Sequence, residues 1–491
     1  MKKYIMRKYI YGILGMVLVL TSCESWLEVK MKDKILENVL FENLEGYTTA
    51  LNGIYAELNS TEIYGRNLSM GAIDVMAQYY DVFSSKNHNM QDFGKYEFGQ
   101  NTYKSMFSAV WTKLYNLLAN INLLLENCNR ADAPLSGSMK ELITGEAYAL
   151  RGMLHFDLLR LYGPSYREDT KDVKVMPYMD ASDRRIRPMM SAEEILNLVI
   201  ADLQQAAGLL RKSDPIIEEG PKNEASVEDV NNELNYRQYR LNYYAVTALL
   251  ARAYLWGGDK MNAVRNALEI TKVSEGEGAW FPFTSKMAVQ NEVRPDRIFS
   301  TEVLFALYNT SRKDIYTGLF SKDIGVATRL TFFGDYMEGR LNTFFGDEGD
   351  VRYSLWRSEM VDTVDVLYST RFQPNNDPKN QYMLPLIRTS EMYLLLAECA
   401  ESDQAAADYI NKIRFARNAL DITIKDNDRD KYIAEEFARE MIGEGQLFLF
   451  YKRKAMATIP DGHSVNSYID MPSVNYVWII PDTEIENRPN F

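Results

Sequence analysis

Apolar residues recur at helical spacing in several blocks of the chain, and the clearest block is 243–271. Val246, Leu249, Leu250 and Ala253 fall at i, i+3, i+4 and i+7, one stripe of an α-helix. Gly257 and Gly258 stop it, and a second run restarts at Met261 with Ala263, Val264, Ala267 and Leu268 on one face. So short a connection folds the second helix back on the first, an αα-hairpin. The same period predicts helices over 44–58, over 107–127 with Val110, Trp111, Leu114, Leu117, Leu118, Ile121 and Leu125 inward, and from Pro134 to Tyr162. The last is apolar on two faces, the pattern of a buried helix. Ser191 with Glu194 forms a capping box for a helix reaching Leu210. Beyond 388 the pattern predicts a helix around Met392, Leu395, Leu396 and Cys399, another over 405–417, and one long final helix over 431–454. Two stretches lack the period, 60–104 and 274–387. Both are rich in Gly and aromatics, and within the second 303–308 is β-prone.

Within the hairpin, alanines at 245, 248, 251, 253, 263 and 267 permit close backbone approach, while Leu249, Tyr254 and Leu255 supply bulk. That order of small and large positions before a Gly-Asp turn resembles a tetratricopeptide unit. One unit cannot bury its own face, so partner hairpins are expected. The fold class is mainly α: a tetratricopeptide-like scaffold of helical hairpins with an irregular, loop-rich subregion.

Composition adds an address and a surface. With 46% apolar residues in 491, the chain is globular, and a mean hydropathy of −0.31 excludes a polytopic membrane protein. The 32 Tyr, 21 Phe and 6 Trp exceed what a helical scaffold requires, and Tyr and Trp suit contact surfaces. At the N-terminus, Lys2, Lys3, Arg7 and Lys8 precede an uncharged run from Tyr9 to Leu20, too short to span a bilayer as a mature helix. It ends Leu20-Thr21-Ser22-Cys23, which looks like a bacterial lipobox whose Cys23 becomes lipidated and N-terminal. Loss of residues 1–22 removes four basic and no acidic residues and leaves a formal charge of −17, unfavourable for nucleic acid. Cys128 and Cys399 then remain, both in apolar helical stretches, and read as buried free thiols.

Several stretches together resemble the SusD/RagB family of surface nutrient-capturing lipoproteins. Ala149-Leu150-Arg151-Gly152 through Phe156-Asp157-Leu158-Leu159-Arg160-Leu161-Tyr162-Gly163 is similar to that family's "ALRA…FDLVRLYG" helix. The hairpin resembles its "A…ALLARvYL…gd…A" repeat. Leu386-Ile387-Arg388 with Glu391, Leu395, Ala397 and Glu398 resembles its "liRyaEvlLmyAEa", and Asn411-Lys412-Ile413-Arg414, Glu440, Glu444-Gly445, Lys452-Arg453 and Ile480-Pro481-Asp482 continue the match. The chain departs at Leu447 and Phe450, where many members carry Arg and Asp in "EGxRxxDLxR". A buried ion pair replaced by apolar packing has this appearance, so the helix is expected to persist with a drier face. The resemblance implies a signal peptide at 1–22, a lipidated tether at 23–43 and one domain over 44–491. Its helical scaffold would span about 105–273 and 388–457, with ligand loops in 60–104 and 274–387.

By the same resemblance the protein is expected on the exterior face of the cell outer membrane. There it would bind oligosaccharide and deliver it to a SusC-type TonB-dependent transporter as its lid. Aromatic platforms with polar neighbours suit sugar faces, and the resemblance implies ligand contacts from the two loop regions, which points to Asp74, Gln78, Tyr79, Tyr80 and Tyr96 in the first and to Trp280, Tyr308, Tyr316 and Tyr336 in the second. Trp111 and Trp256 lie within helical patterns and are assigned to the core. A peptide or glycopeptide ligand of the RagB kind, and a scaffold that binds only a protein partner, are the alternatives. No catalytic, metal or cofactor motif stands out. His88, His155 and His463 are scattered, the Asp426-x-Asp428-x-Asp430 run lacks the glycine and glutamate of a calcium loop, and Glu435, Glu436, Glu440 and Glu444 run along one predicted helix rather than across a cleft.

Overall fold

The computed structural model describes residues 39–488 apart from 86, 184, 223–233, 333–336, 362–363, 376 and 427. The leader segment, Cys23 and Tyr336 therefore lie outside the described residues. The main helices are α1 (Leu44–Leu58), α2 (Asn101–Cys128), α3 (Gly137–Tyr162), α4 (Ala192–Ser213), α5 (Tyr243–Trp256), α6 (Lys260–Ser274), α7 (Thr389–Cys399), α8 (Asp403–Ala416), α9 (Arg429–Glu440) and α10 (Leu447–Arg453). Their starts are fixed by side chains the sequence supplies. Asn43, Asn242, Asp259 and Ser402 each accept a first-turn N–H, and the Ser191–Glu194 capping box forms in both directions.

From α2 to α8 each helix packs on the next, the stack that the hairpin pattern predicts. The most extensive interface joins α3 and α4, and it depends on the absence of a side chain at Gly152, where a Cβ would stand 3.0 Å from Leu203 Cγ. Helix α5 buries more than the one stripe its pattern indicates. Every residue from Tyr243 to Trp256 is buried except Arg252, because α4, α6 and α7 enclose it. Trp111 and Trp256 are both core residues, and Cys128 is buried and Cys399 half-buried, both as free thiols.

Helix α6 packs directly on α7 although residues 275–388 separate them. The intervening segment is closed at its base by an antiparallel pair, β1 (Val303–Tyr308) with β4 (Met383–Arg388). Its outer part carries a hairpin, β2 (Trp356–Val361) with β3 (Val364–Ser369). The irregular region is thus an insertion into the helical stack, and the strand carrying Leu386-Ile387-Arg388 returns the chain to it.

The final helix is not continuous. It breaks between α9 and α10, where Gly443 and Gly445 take φ of 80° and 68°. A side chain at Gly445 would place its Cβ 2.1 Å from the Leu68 carbonyl oxygen, so the break needs glycine there. Gly443 and Gly445 are the sign of this break in the sequence, and the Asp74 carboxylate that accepts both their N–H groups lies far away along the chain.

Candidate functional site

Asp74 sits in the short helix Ala72–Met76 and is fully buried. Its carboxylate accepts the N–H of Gly443 at 2.6 Å and of Gly445 at 3.1 Å, which ties the first loop region to the α9–α10 break. Burial pushes its carboxyl well above the usual carboxylate range, against those two hydrogen bonds. Gln78 donates to the Gly94 carbonyl at 2.9 Å and to the Tyr96 hydroxyl at 3.1 Å, Tyr79 donates to the Ala438 carbonyl at 2.7 Å, and Tyr96 donates to the Met76 carbonyl. Gln78, Tyr79, Tyr80 and Tyr96 are all buried. Any ligand for Asp74, Gln78, Tyr79 or Tyr96 would first have to displace protein partners, and Tyr80 is enclosed by ring packing.

Beneath this cluster lies a buried ion-pair network. Arg417 forks onto Glu302 with two 2.7 Å bonds and also donates to Glu440. Arg388 bonds Glu440 at 2.5 Å and Glu444 at 2.7 Å, and Arg352 joins Asp350, Glu436 and Glu440. Burial opposes the charge on Glu440, but Arg417, Arg388 and Arg352 together hold its carboxyl well below the usual range. Arg388, Glu440 and Glu444, conspicuous in the sequence motifs, are therefore structural. Glu435 stands apart, half-exposed and paired with Arg439, so the four glutamates neither line one helix face nor face one another across a cleft.

The two loop regions meet through largely buried contacts. Asp81 N–H bonds the Thr331 carbonyl at 2.9 Å, Asn89 N–H bonds the Ala327 carbonyl at 3.2 Å, and Tyr80 packs on Phe320 with ring centroids 5.7 Å apart. Phe320 in turn packs on Tyr316 at 6.2 Å. Ring contacts thus run from Tyr79 and Tyr80 in the first loop region to Tyr316 in the second. Tyr316 is itself buried, within electrostatic reach of Tyr368 and Arg297.

Tyr308, at the end of β1, is 51% exposed. Tyr239 stands edge-on to its ring at 5.4 Å and Tyr382 lies tilted at 5.0 Å, both half-buried, so the three form a surface aromatic cluster. The helix Arg312–Leu319 places Arg312 and Tyr316 four residues apart on one face, and Arg312 is within electrostatic reach of both Tyr239 and Arg297. It links the Tyr308 cluster to the Tyr316 neighbourhood. Trp280 belongs to another group: it packs on Tyr244 at 5.7 Å and lies against Gly220, finishing the turn after α6.

Sequence reading passed over Tyr239, Tyr368, Tyr382, Arg297 and Arg357. Tyr239 sat next to a polar connector, and the others in a segment without helical period. The strand alternation of β2 and β3 was the available signal, but only their register shows that Arg357 and Tyr368 stand opposite each other.

On the helical side, a cleft of about 40 Å³ is lined by Arg160, Arg252, Trp256, Glu391, Phe437 and Phe450 among others. Arg252 pairs with Glu391, and nearby Arg453 with Glu398 at 2.7 Å, so its charges satisfy one another. At the departure from the family motif Leu447 and Phe450 are buried, with Phe450 stacked on Phe437 at 4.5 Å. The cleft is well below the roughly 300 Å³ at which ligand pockets begin. Among the described residues no cluster of His, Cys, Asp and Glu suits a metal, and no helix is long and apolar enough to cross a membrane.

Residues 25–255 match the family model described as "starch-binding associating with outer membrane", and residues 354–489 match that of the "SusD family". The SusD-like protein P38 of Formosa agariphila is 26% identical over 213 residues, which span 42% of this chain and 38% of that relative's length. A SusD superfamily protein from Bacteroides thetaiotaomicron superposes with a TM-score of 0.69 at 20% identity, over 91% of this chain and 98% of its own. A laminarin-binding SusD-like protein superposes with a TM-score of 0.59 at 15% identity, over 92% and 100%. Two family models that together take in the α2–α5 stack, the α7–α10 segment and the C-terminal tail, on a fold shared almost end to end with SusD superfamily structures, place this chain in the SusD/RagB family.

Proposed function

We propose that this protein is a non-enzymatic, lipid-anchored lipoprotein of the outer membrane. It binds oligosaccharide on its exterior face and passes it to a SusC-type TonB-dependent transporter, acting as the transporter's lid. The observation that carries the reading is the half-exposed ring of Tyr308, flanked by Tyr382 on the insertion and by Tyr239 from the turn that precedes α5. Flat aromatic faces cover the apolar C–H faces of sugar rings, and neighbouring polar groups set orientation. A family model described as starch-binding and the laminarin-binding neighbour support a glycan as the ligand class. The lipobox-like ending at Cys23 supports the anchor.

Calorimetry of the purified protein against laminarin-derived and other neutral oligosaccharides, alongside a peptide panel, tests the ligand class. Sugar binding that weakens in Tyr308→Ala is the expected result. Tight binding to peptides with none to sugars would overturn it, and hydrolysis of a bound glycan by the protein alone would overturn its non-enzymatic character. Copurification with a TonB-dependent barrel from native outer membrane tests the partner.

A further inference from the structure

Most arginines near the insertion face carboxylates: Arg352, Arg388 and Arg417 are saturated by them, and Arg329 pairs with Glu359. Arg297 and Arg357 form no ion pair and no hydrogen bond among the described residues, although the chain carries a large excess of acid. Arg297 is half-buried and Arg357 exposed. The register of β2 with β3 sets Arg357 directly opposite Tyr368, so the two side chains leave the same face of the hairpin. Arg297 lies within electrostatic reach of Arg357 and of Tyr316, and Tyr316 within reach of Tyr368.

Nearby carboxylates are already engaged. Asp296 accepts the Ser300 hydroxyl at 2.7 Å and its N–H, Asp323 accepts the Ser321 hydroxyl at 3.0 Å, and Glu359 is held by Arg329. The two like charges repel, and burial adds a cost to Arg297, whose guanidinium pKa is lowered first by desolvation and then by Arg357. An incoming anion would relieve both. A guanidinium presents a planar fork to carboxylate and sulfate groups, and the Tyr368 ring beside it offers a stacking face.

We propose that Arg297 and Arg357, with Tyr368 beside them, form a subsite for the acidic group of an anionic oligosaccharide. The acid is the carboxylate of a uronic acid or a sulfate ester, and the sugar ring that carries it rests on Tyr368. The inference rests on the glycan-binding reading above.

The test is calorimetry of the purified protein with three defined probes: a galacturonic acid tetrasaccharide, a sulfated galactan tetrasaccharide and neutral laminaritetraose. At least one acidic probe binds roughly tenfold tighter than the neutral one at about 50 mM NaCl and loses most of that advantage at about 500 mM, since exposed charges are screened. Arg357→Gln and Arg297→Gln each weaken acidic binding by roughly fivefold or more and leave neutral binding within about twofold. Arg297→Lys, which keeps the charge, guards against a folding defect at the half-buried position and retains part of the affinity. The uronate and sulfate arms identify which acid is taken. Neutral binding with no advantage for either acid, or acidic binding indifferent to both glutamine variants, overturns the subsite while the glycan reading stands. Failure of all three probes to bind overturns both.

Discussion

Asp74 and Tyr308 are both polar or aromatic residues in loop regions flanking the helical stack, and the fold treats them in opposite ways. Around Asp74 the charged groups are enclosed and matched: two glycine N–H groups close on its carboxylate, and the arginines below are matched by Glu302, Glu440 and Glu444. Around Tyr308 the rings are open, and elsewhere on the insertion Arg297 and Arg357 have no ion-pair partner among the described residues. Buried polar groups must be satisfied or they cost stability, so enclosure with full partners marks a joint. Half-exposure without partners leaves a group available to something else. The contrast separates what holds the insertion onto the helices from what the insertion presents.

The largest effect should come from breaking the joint. Glu440→Ala leaves Arg388, Arg417 and Arg352 short of a buried counter-charge and should cost about 3–5 kcal/mol, read as a collapse of the denaturant midpoint. A loss under about 1 kcal/mol would mean the network is not structural. Next, Asp74→Ala orphans the N–H groups of Gly443 and Gly445 and should cost roughly 2–6 kcal/mol, at about 1–3 for each group. Wild-type stability in that variant would show that the α9–α10 break does not depend on Asp74.

Acid should expose a third, smaller dependence. His155 is buried, its Nε2 accepts the Met179 N–H at 2.9 Å and its Nδ1 donates to the Arg151 carbonyl at 3.0 Å. Burial lowers its pKa to about 3. The unfolded chain, with an ordinary histidine near 6.5, then binds a proton that the folded chain refuses, so stability falls as pH drops from about 6.5 towards 3. Glu440, with its depressed folded-state pKa, adds a loss of the same sign below the ordinary glutamate range. Between pH 7 and 5 the histidine contributes a loss of about 2 kcal/mol, and His155→Gln should flatten that slope. An unchanged slope in the variant would remove His155 from the account. The smallest stability effect is reserved for the open face: Tyr308→Ala should move unfolding by no more than about 0.5 kcal/mol.

Much of this was legible in the chain. The hairpin at α5–α6, the capping box at Ser191 and the strand at 303–308 are local consequences of period and caps, and the structure repeats them. The ordered family motifs were also legible, although their conspicuous residues, Arg388, Glu440 and Glu444, turn out to serve the joint. The α9–α10 break was half visible: Gly443 and Gly445 stand in the run, but the carboxylate that accepts their N–H groups lies more than three hundred residues away. The open face was only partly visible. Tyr308 stood out as an aromatic in a loop-rich segment, but Tyr239, Tyr382, Tyr368 and the two arginines come together through strand register and tertiary approach. Asp74, Gln78, Tyr79, Tyr80 and Tyr96 carried the same chemical labels as Tyr308, and only burial tells them apart.

The most direct test pairs one binding measurement with one melt on the same variant. Laminarin-derived oligosaccharide titrated into wild-type protein and Tyr308→Ala, with thermal unfolding of both, should show affinity reduced by roughly tenfold or more at an unchanged midpoint. Full affinity in Tyr308→Ala would contradict the claim that the open face of the insertion holds the ligand.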